Sequence, residues 1–284
     1  MMDVRIFKID KLNLGFILSD VDVAFANAIR RIILTEVPVF AIDDVIIVEN
    51  TSILFDEIIA HRLSLIPLTT NLETYQCPEY YKEELDDESK IRCQVVLTLE
   101  KEANDKPVVV YSGDLESEDP SVVPVYDNIP IVKLAPDQRL VVEAYARLGI
   151  GKLHAKWQPV SSVAYKYMPK IIVDTNKCDL CGDCVAACPR NILSIKNEAL
   201  IIGDLLRCTL CKACEESCPI DAIHVEWFNN QFIFQLESTG ALPPEKIVDF
   251  AAQVLIDKSK KFLELLELKE TKKKEKEEEK FSLD

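Results

Sequence analysis

The chain has 284 residues, 48% of them apolar, and its 33 Lys and Arg against 48 Asp and Glu leave a net charge of −15. That length is a prior for two or three domains with ample material for a core, which excludes disordered and fibrous classes, and a chain this acidic repels nucleic acid unless its bases gather on one face. Glycine is scarce, with 7 residues: Gly149-Ile-Gly151 is the one Gly-x-Gly, His154 stands where a dinucleotide fingerprint needs its third glycine, and no Gly-x-x-x-x-Gly-Lys loop occurs, so nucleotide binding through a glycine-rich loop is excluded.

The segment Met1–Lys8 is charged every two or three residues and offers no apolar core for a signal peptide. The longest apolar runs, such as Val39–Ile42, fall far short of the roughly 18 residues that span a bilayer. A cytoplasmic protein without a membrane partner is expected. Leu12, Leu14, Phe16 and Leu18 alternate as in a half-buried strand. Phe25, Ile29, Ile32 and Ile33 then recur at helical spacing over about 21–34, with Asp20 or Asp22 placed to cap. From Val45 to Tyr167 the pattern predicts strands and turns with one short helix near Asp56–Leu63. Two acidic loops in that stretch, Glu83–Glu88 and Asp114–Asp119, read as solvated edges. Cys77 and Cys93 stand alone and read as small hydrophobes.

Eight cysteines fall between Cys178 and Cys218, in an internal repeat. Cys178-Asp-Leu-Cys181-Gly-Asp-Cys184-Val-Ala-Ala-Cys188-Pro189 returns as Cys208-Thr-Leu-Cys211-Lys-Ala-Cys214-Glu-Glu-Ser-Cys218-Pro219. Each half ends in a β-rich run, Ala199–Ile202 and Ile223–Trp227. Four thiols at this spacing before a proline form the bacterial-ferredoxin run. Three cysteines within seven residues reach one cuboidal cluster, and the fourth serves the other cluster. One cluster would take Cys178, Cys181, Cys184 and Cys218, and the second would take Cys208, Cys211, Cys214 and Cys188. One or two 4Fe-4S clusters are expected, with a 3Fe-4S form open to Cys208, Cys211 and Cys214. The competing readings are paired zinc sites, which prefer separated Cys-x-x-Cys pairs, and disulfides, which need an oxidising compartment. On the cysteines alone, a ferredoxin-type electron-transfer subunit of an oxidoreductase leads.

Beyond the cysteines, Phe232, Phe234 and Leu236 predict a strand, followed by Ser238-Thr-Gly240 and a helix starting at Pro243-Pro244-Glu245. Ile247, Phe250, Ala251, Val254, Leu255, Phe262 and Leu266 share one face of that helix, a stripe that needs a partner helix in this chain or another. Glu270–Asp284 is a Lys and Glu tail, read as frayed helix or disorder.

The flanks carry a family resemblance. Asn27-Ala-Ile-Arg30-Arg31, Asp56-Glu57-Ile-Ile-Ala60-His61-Arg62-Leu63-Ser-Leu-Ile66-Pro67-Leu68, Gly149-Ile-Gly151-Lys-Leu-His154-Ala155-Lys156-Trp157-Gln-Pro159-Val160 and Phe234-Gln-Leu-Glu237-Ser-Thr-Gly240 resemble successive blocks of the alpha-like subunits of multisubunit RNA polymerases. With a ferredoxin-type insertion, the chain is similar to the archaeal branch of that family. The resemblance implies an α+β fold: a dimerisation domain split across both chain ends (1–47 and 226–270), a β-rich insert domain (48–167), a ferredoxin-like iron–sulfur domain (168–225) and a charged tail (271–284). It implies a non-catalytic scaffold that pairs with the small subunit L through the helices near 21–34 and 245–266, whose stripes are read as unmet. That pair would recruit subunits N and P and dock the second-largest subunit. No catalytic residue is assigned, and no Asp-x-Asp-x-Asp triad is present. His61 and His154 read as structural histidines, Arg30 and Arg31 as a helix face, and Lys152 with Lys156-Trp157 as too small a patch to bind DNA.

Overall fold

The computed structural model describes residues 2–75 and 94–281, with side chains placed as far as residue 266. Cys77, Cys93 and the loop 83–88 lie outside the described residues. In chain order the elements are β1 (Asp3–Ile9), β2 (Asn13–Ser19), α1 (Val23–Thr35), β3 (Val39–Asn50), α2 (Asp56–Ser64), β4 (Gln94–Ala103), β5 (Val108–Tyr111), β6 (Glu116–Ser117), β7 (Pro130–Leu134), β8 (Gln138–Gly149), β9 (Val160–Val173), α3 (Asp183–Ala187), β10 (Leu193–Lys196), β11 (Ala199–Ile202), α4 (Ala213–Glu216), β12 (Ile223–Ser238) and α5 (Pro244–Phe281). The architecture is α+β, and the chain forms two compact units, one from residues 1–28 and 164–236, the other from 29–163 and 237–284.

The first unit is built on a four-stranded sheet in the order β1-β2-β12-β9. The alternation in β2 buries Leu14, Phe16 and Leu18, one face of a pleated strand. Phe16 stacks on Phe234 with centroids 4.8 Å apart and planes 6° from parallel, and Tyr165 meets Phe232 edge-on at 5.5 Å. At their far ends the long strands β9 and β12 contribute Ile171, Val173, Ile223 and Val225 to a second core, which is otherwise made of cysteines, Ile192 and Leu193. The two repeats therefore end differently. The first closes as the hairpin β10–β11, whose turn residues Asn197 and Glu198 have φ of 48° and 54°, the left-handed pair that a type I′ turn requires. In the second, Ile223–Trp227 is the beginning of the 16-residue β12. Residues 168 and 226 both lie inside strands.

The second unit holds the sheet β3-β8-β4-β6 and the pair β5–β7. Alternate residues of β4 and β8 (Val95, Leu97, Leu99, Leu140, Val142, Ala144 and Ala146) pack with Ile59 and Leu63 of α2. The β3–β8 register slips between Ile42 and Asp44, so Asp43 is an extra, bulged residue. A bulge re-aims its side chain; here the carboxylate meets Lys156 Nζ at 2.6 Å and Arg147 at 3.4 Å. The Lys156 side chain is 9% exposed and sits 4.3 Å from the Trp157 ring centre. It is an interior cation with a partner and forms no part of a basic surface. Gly149 is required beside it, because a Cβ there would lie 2.4 Å from the Trp157 ring. His154 caps the short 3₁₀ turn at Ala155–Trp157, its Nδ1 accepting from the Lys156 amide at 3.1 Å. His61 is exposed on α2 and has no such structural role; Arg31 is exposed and Arg30 half-buried.

The stretch Asp114–Asp119 is an edge, since β6 borders the sheet, but it is not simply solvated. Asp114 accepts from Lys101 at 2.6 Å and from the Tyr111 amide at 2.8 Å, and Asp119 accepts from the Tyr75 hydroxyl. Asp22 caps α1 through the Phe25 amide at 2.7 Å. The stripe of α1 is met within the chain, with Ala26, Ile29, Ile32 and Ile33 buried. On α5 the stripe is divided. Ile247, Ala251 and Val254 are buried, Ile256 is half exposed, Lys258 pairs with Glu36, and beyond that point Phe262, Leu263, Leu265 and Leu266 are 45–61% exposed. The helix continues through the Lys and Glu run to Phe281.

Replacing Asp43 by Ala strands the enclosed Lys156 ammonium, and we expect a loss of about 3 kcal/mol in denaturant-unfolding free energy. Asp44, whose side chain is 60% exposed on Arg147, is the control, and its Ala variant should unfold with the wild-type midpoint.

A candidate metal centre built by two cysteine quartets

The repeat is conformational as well as chemical. Left-handed φ angles occur at Leu180 and Leu210 (62° and 59°), Gly182 and Lys212 (89° and 62°), and Asn191 and Asp221 (51° and 52°), each pair thirty residues apart. A leucine in that region is strained by its Cβ, so two of them at matching positions mean that the loop path, and not local preference, dictates the backbone. The path curls Cys-x-x-Cys-x-x-Cys inward and leads into the short helices α3 and α4.

The curl produces two small recesses of similar size. Cys178, Cys181, Cys184 and Cys218 line the first; Cys188, Cys208, Cys211 and Cys214 line the second. The structure thus gathers all eight predicted residues into the two crosswise quartets. Cys184, Cys188, Cys208 and Cys214 are buried, Cys178 and Cys218 half-buried, and Cys181 and Cys211 exposed at the rims. All eight are free thiols.

The same grouping governs their ionisation. Burial raises the Cys184 thiol above its ordinary range, and the sulfurs of Cys178, Cys181 and Cys218 raise it further. Burial pushes Cys214 up to about 11, with Cys188 the next contributor. Four thiolates crowded into one recess repel each other until a cation compensates them. Backbone amides already point at several sulfurs: Asp183 to Cys181, Val185 to Cys184, Glu215 to Cys214, and Ala222 to Cys218 at 3.3 Å. Such donors favour sulfur carrying negative charge.

These features fit a cuboidal iron–sulfur cluster in each recess. Among the described residues no three His, Cys, Asp or Glu side chains form a group able to hold one metal ion, as a tetrahedral zinc site with all four donors within about 2.3 Å of a point would require. A cube spreads its four cysteine ligands around a body several ångström across, which agrees with four thiols lining each recess. Much of the remaining lining is apolar, Ile195, Leu200 and Ile223 in one, Ile171, Ile192 and Val225 in the other, and screens the buried sulfurs from water.

Sequence reasoning missed Lys166. From β9 its Nζ donates to the carbonyls of Leu206 and Cys208, both at 2.6 Å, pinning the 3₁₀ turn Leu205–Arg207 that leads into the second quartet. Burial lowers its pKa. It lies some forty residues from the loop it holds and belongs to no motif. Glu215 was equally silent: its carboxylate accepts from the Val225 amide at 3.0 Å and ties α4 to β12.

The strained positions make a reciprocal test. Gly182→Ala meets no steric obstacle, the nearest atom being Ile195 Cδ1 at 3.8 Å, so its expected loss of about 1 kcal/mol is the left-handed backbone alone. Lys212→Gly removes the same strain and should raise stability by about 0.5 kcal/mol after the entropy of the unfolded glycine is counted. Thermal unfolding of the metal-loaded protein reads both.

Comparison with known proteins agrees with this geometry. Residues 45–175 match the RNA polymerase Rpb3/RpoA insert domain, and residues 177–222 match the 4Fe-4S dicluster domain. The chain is 44% identical to the DNA-directed RNA polymerase subunit Rpo3 of Thermococcus kodakarensis, over 94% of this chain and 98% of that protein. It is 42% identical to Rpo3 of Methanothermobacter thermautotrophicus (94% and 99%) and 40% identical to Rpo3 of Methanosphaera stadtmanae (93% and 98%). Likeness along nearly the whole of both chains, flanks and cysteine window together, makes this chain a member of the Rpo3 family of DNA-directed RNA polymerase subunits.

Proposed function

We propose that this protein is a non-catalytic assembly scaffold of the polymerase, located in the cytoplasm, which pairs with the small subunit L, recruits subunits N and P and docks the second-largest subunit. The observation that carries the reading is the end-to-end match with polymerase subunits. An electron-transfer subunit would share the cysteine window and not the flanks. The polar groups of the second unit, such as Lys156 with Asp43 and Tyr75 with Asp119, serve each other. Among the described residues no helix is long and apolar enough to cross a membrane.

The pairing surface is the outer half of α5. Leu263 and Leu266, with Phe262, present a contiguous apolar face on exposed turns, the form in which one helix recognises another. Val254 is already buried in this chain, so charging it would damage the fold rather than test pairing. The domain plan consistent with this is a dimerisation domain from 1–47 and 226–270, an insert domain over 48–167, an iron–sulfur domain over 168–225 and a tail over 271–284. Exposed Ile53, Phe55 and Ile58 around the start of α2 offer the insert domain a second apolar contact for a larger subunit.

Within the iron–sulfur domain, Cys178, Cys181, Cys184 and Cys218 hold one 4Fe-4S cluster, and Cys188, Cys208, Cys211 and Cys214 hold the other. Bound clusters supply covalent cross-links where the window is too small to bury a sufficient apolar core. The protein's own contribution is to hold the thiols in register through the loop path, the amide donors and Lys166.

Two variants test the scaffold. Phe262→Glu with Leu266→Glu should abolish recovery of L on co-expression while the protein stays soluble and helical, because carboxylates cannot be buried unpaired; undiminished recovery of L would refute the assigned surface. Replacing Cys208, Cys211 and Cys214 by Ser leaves the second cluster one thiolate, and iron should fall by more than half. L should still be recovered and the second-largest subunit should be recovered poorly. Assembly of the whole polymerase at wild-type yield would remove the cluster from assembly. The isolated protein, with its charge of −15, should not shift duplex DNA near physiological salt.

A further inference from the structure

The two recesses have matching shapes and opposite charge. Among the described residues, the only charged side chain lining the first is Asp179; those lining the second are Arg190 and Lys212. Asp183 follows the first loop directly and acts with Asp179 on the Cys181 sulfur. Lys166 grips the carbonyl of Cys208 in the second and lines a cleft with Arg190 and Arg207 on the same side of the domain.

The counter-charges do not erase this difference. Lys212 faces Glu215 at 3.5 Å and counts for little. Among the described residues, Arg190 and Arg207 have no ion pair, and Asp204 is the acid that acts on Lys166. Lys177 precedes Cys178 but does not line its recess. Lys166 is shielded from water more than the arginines are, so its charge acts through the lower dielectric.

We infer that the two clusters are electrostatically unequal, so that the one held by Cys188, Cys208, Cys211 and Cys214 has the higher reduction potential and takes the first electron. This rests on the two-cluster reading above. A thiolate-bound cluster becomes one unit more negative when it accepts an electron from an added one-electron reductant, and no bond or proton need move. Cations at the second recess stabilise that product, and Asp179 with Asp183 at the first oppose it. Lys166 and Arg190 are thus tuning residues: they hold no iron, and they decide where the electron resides. The first-reduced site is the one tied through Lys166 to β9.

The test is a spectroscopically monitored redox titration, by electron paramagnetic resonance, of the full chain loaded under anaerobic conditions. We expect two one-electron steps, the first cluster to be reduced favoured at least tenfold, which corresponds to about 59 mV. Arg190→Gln, a change at an exposed side chain, and Lys166→Gln, which keeps a donor for the two carbonyls, should each lower the higher step and leave the lower one in place. Asp179→Asn keeps the acceptor for the Cys181 amide and should raise the lower step alone. Eight irons with coincident steps, or with Arg190→Gln moving the lower step, overturns the inference while the two-cluster reading stands. Fewer than eight irons, against the 4Fe-4S dicluster pattern, overturns both.

Discussion

Three thiols on seven consecutive residues can face one recess, but a fourth at the same spacing is carried past it. Every feature of the cysteine window follows from that reach. Cys218 completes the recess begun by Cys178, and Cys188 completes the one begun by Cys208, so neither half can form its site without the other. The conformational cost is visible in Leu180 and Leu210, held in the left-handed region at equivalent places. The electrostatic cost is visible in the raised thiols of Cys184 and Cys214. A polynuclear cation in each recess would offset the electrostatic cost, and on the reading proposed above folding of this window would be coupled to its loading.

The window is joined to the rest of its unit by strands and not by a linker. β9 and β12 enter the cysteine core with Ile171, Val173, Ile223 and Val225, and carry Tyr165, Phe232 and Phe234 into the aromatic core with Phe16. A change in the packing of the sulfur core is felt along the same two strands, because interiors packed at crystal-like density pass displacement on instead of absorbing it. Lys166 sits on β9 between the two cores, with its head on the Cys208 loop.

The polymerase-family flanks are spent on structure. The block around Gly149 builds a close approach of β8 to Trp157 and an interior ion pair at a bulge. The long C-terminal helix divides its apolar residues between a buried inner half and an exposed outer half. A scaffold has this form: polar groups such as Lys156 and Asp43 serve each other, and the outer half of its last helix exposes apolar side chains.

Much was legible in one dimension wherever the controlling interaction is local. The alternation of Leu14, Phe16 and Leu18, the Asp22 cap, the proline start of α5 and the crosswise cysteine sets are all short-range or motif-borne, and the structure has each of them. Even so, Cys77 and Cys93 fall outside the described residues. What the tertiary structure decided are the pairings between distant residues. Periodicity marks a face as apolar but does not say what covers it, so the stripe of α1 and the inner half of α5 read as unmet although this chain buries them. A lysine in a short basic run looks solvated until a bulge more than a hundred residues earlier turns Asp43 toward it. Lys166 has no motif at all, since its partners are two carbonyls some forty residues away. Sequence alone determined which thiols could share a recess, because their reach is set by the few bonds between them; which charges surround each recess was decided only by folding, because electrostatics acts through space and not along the chain.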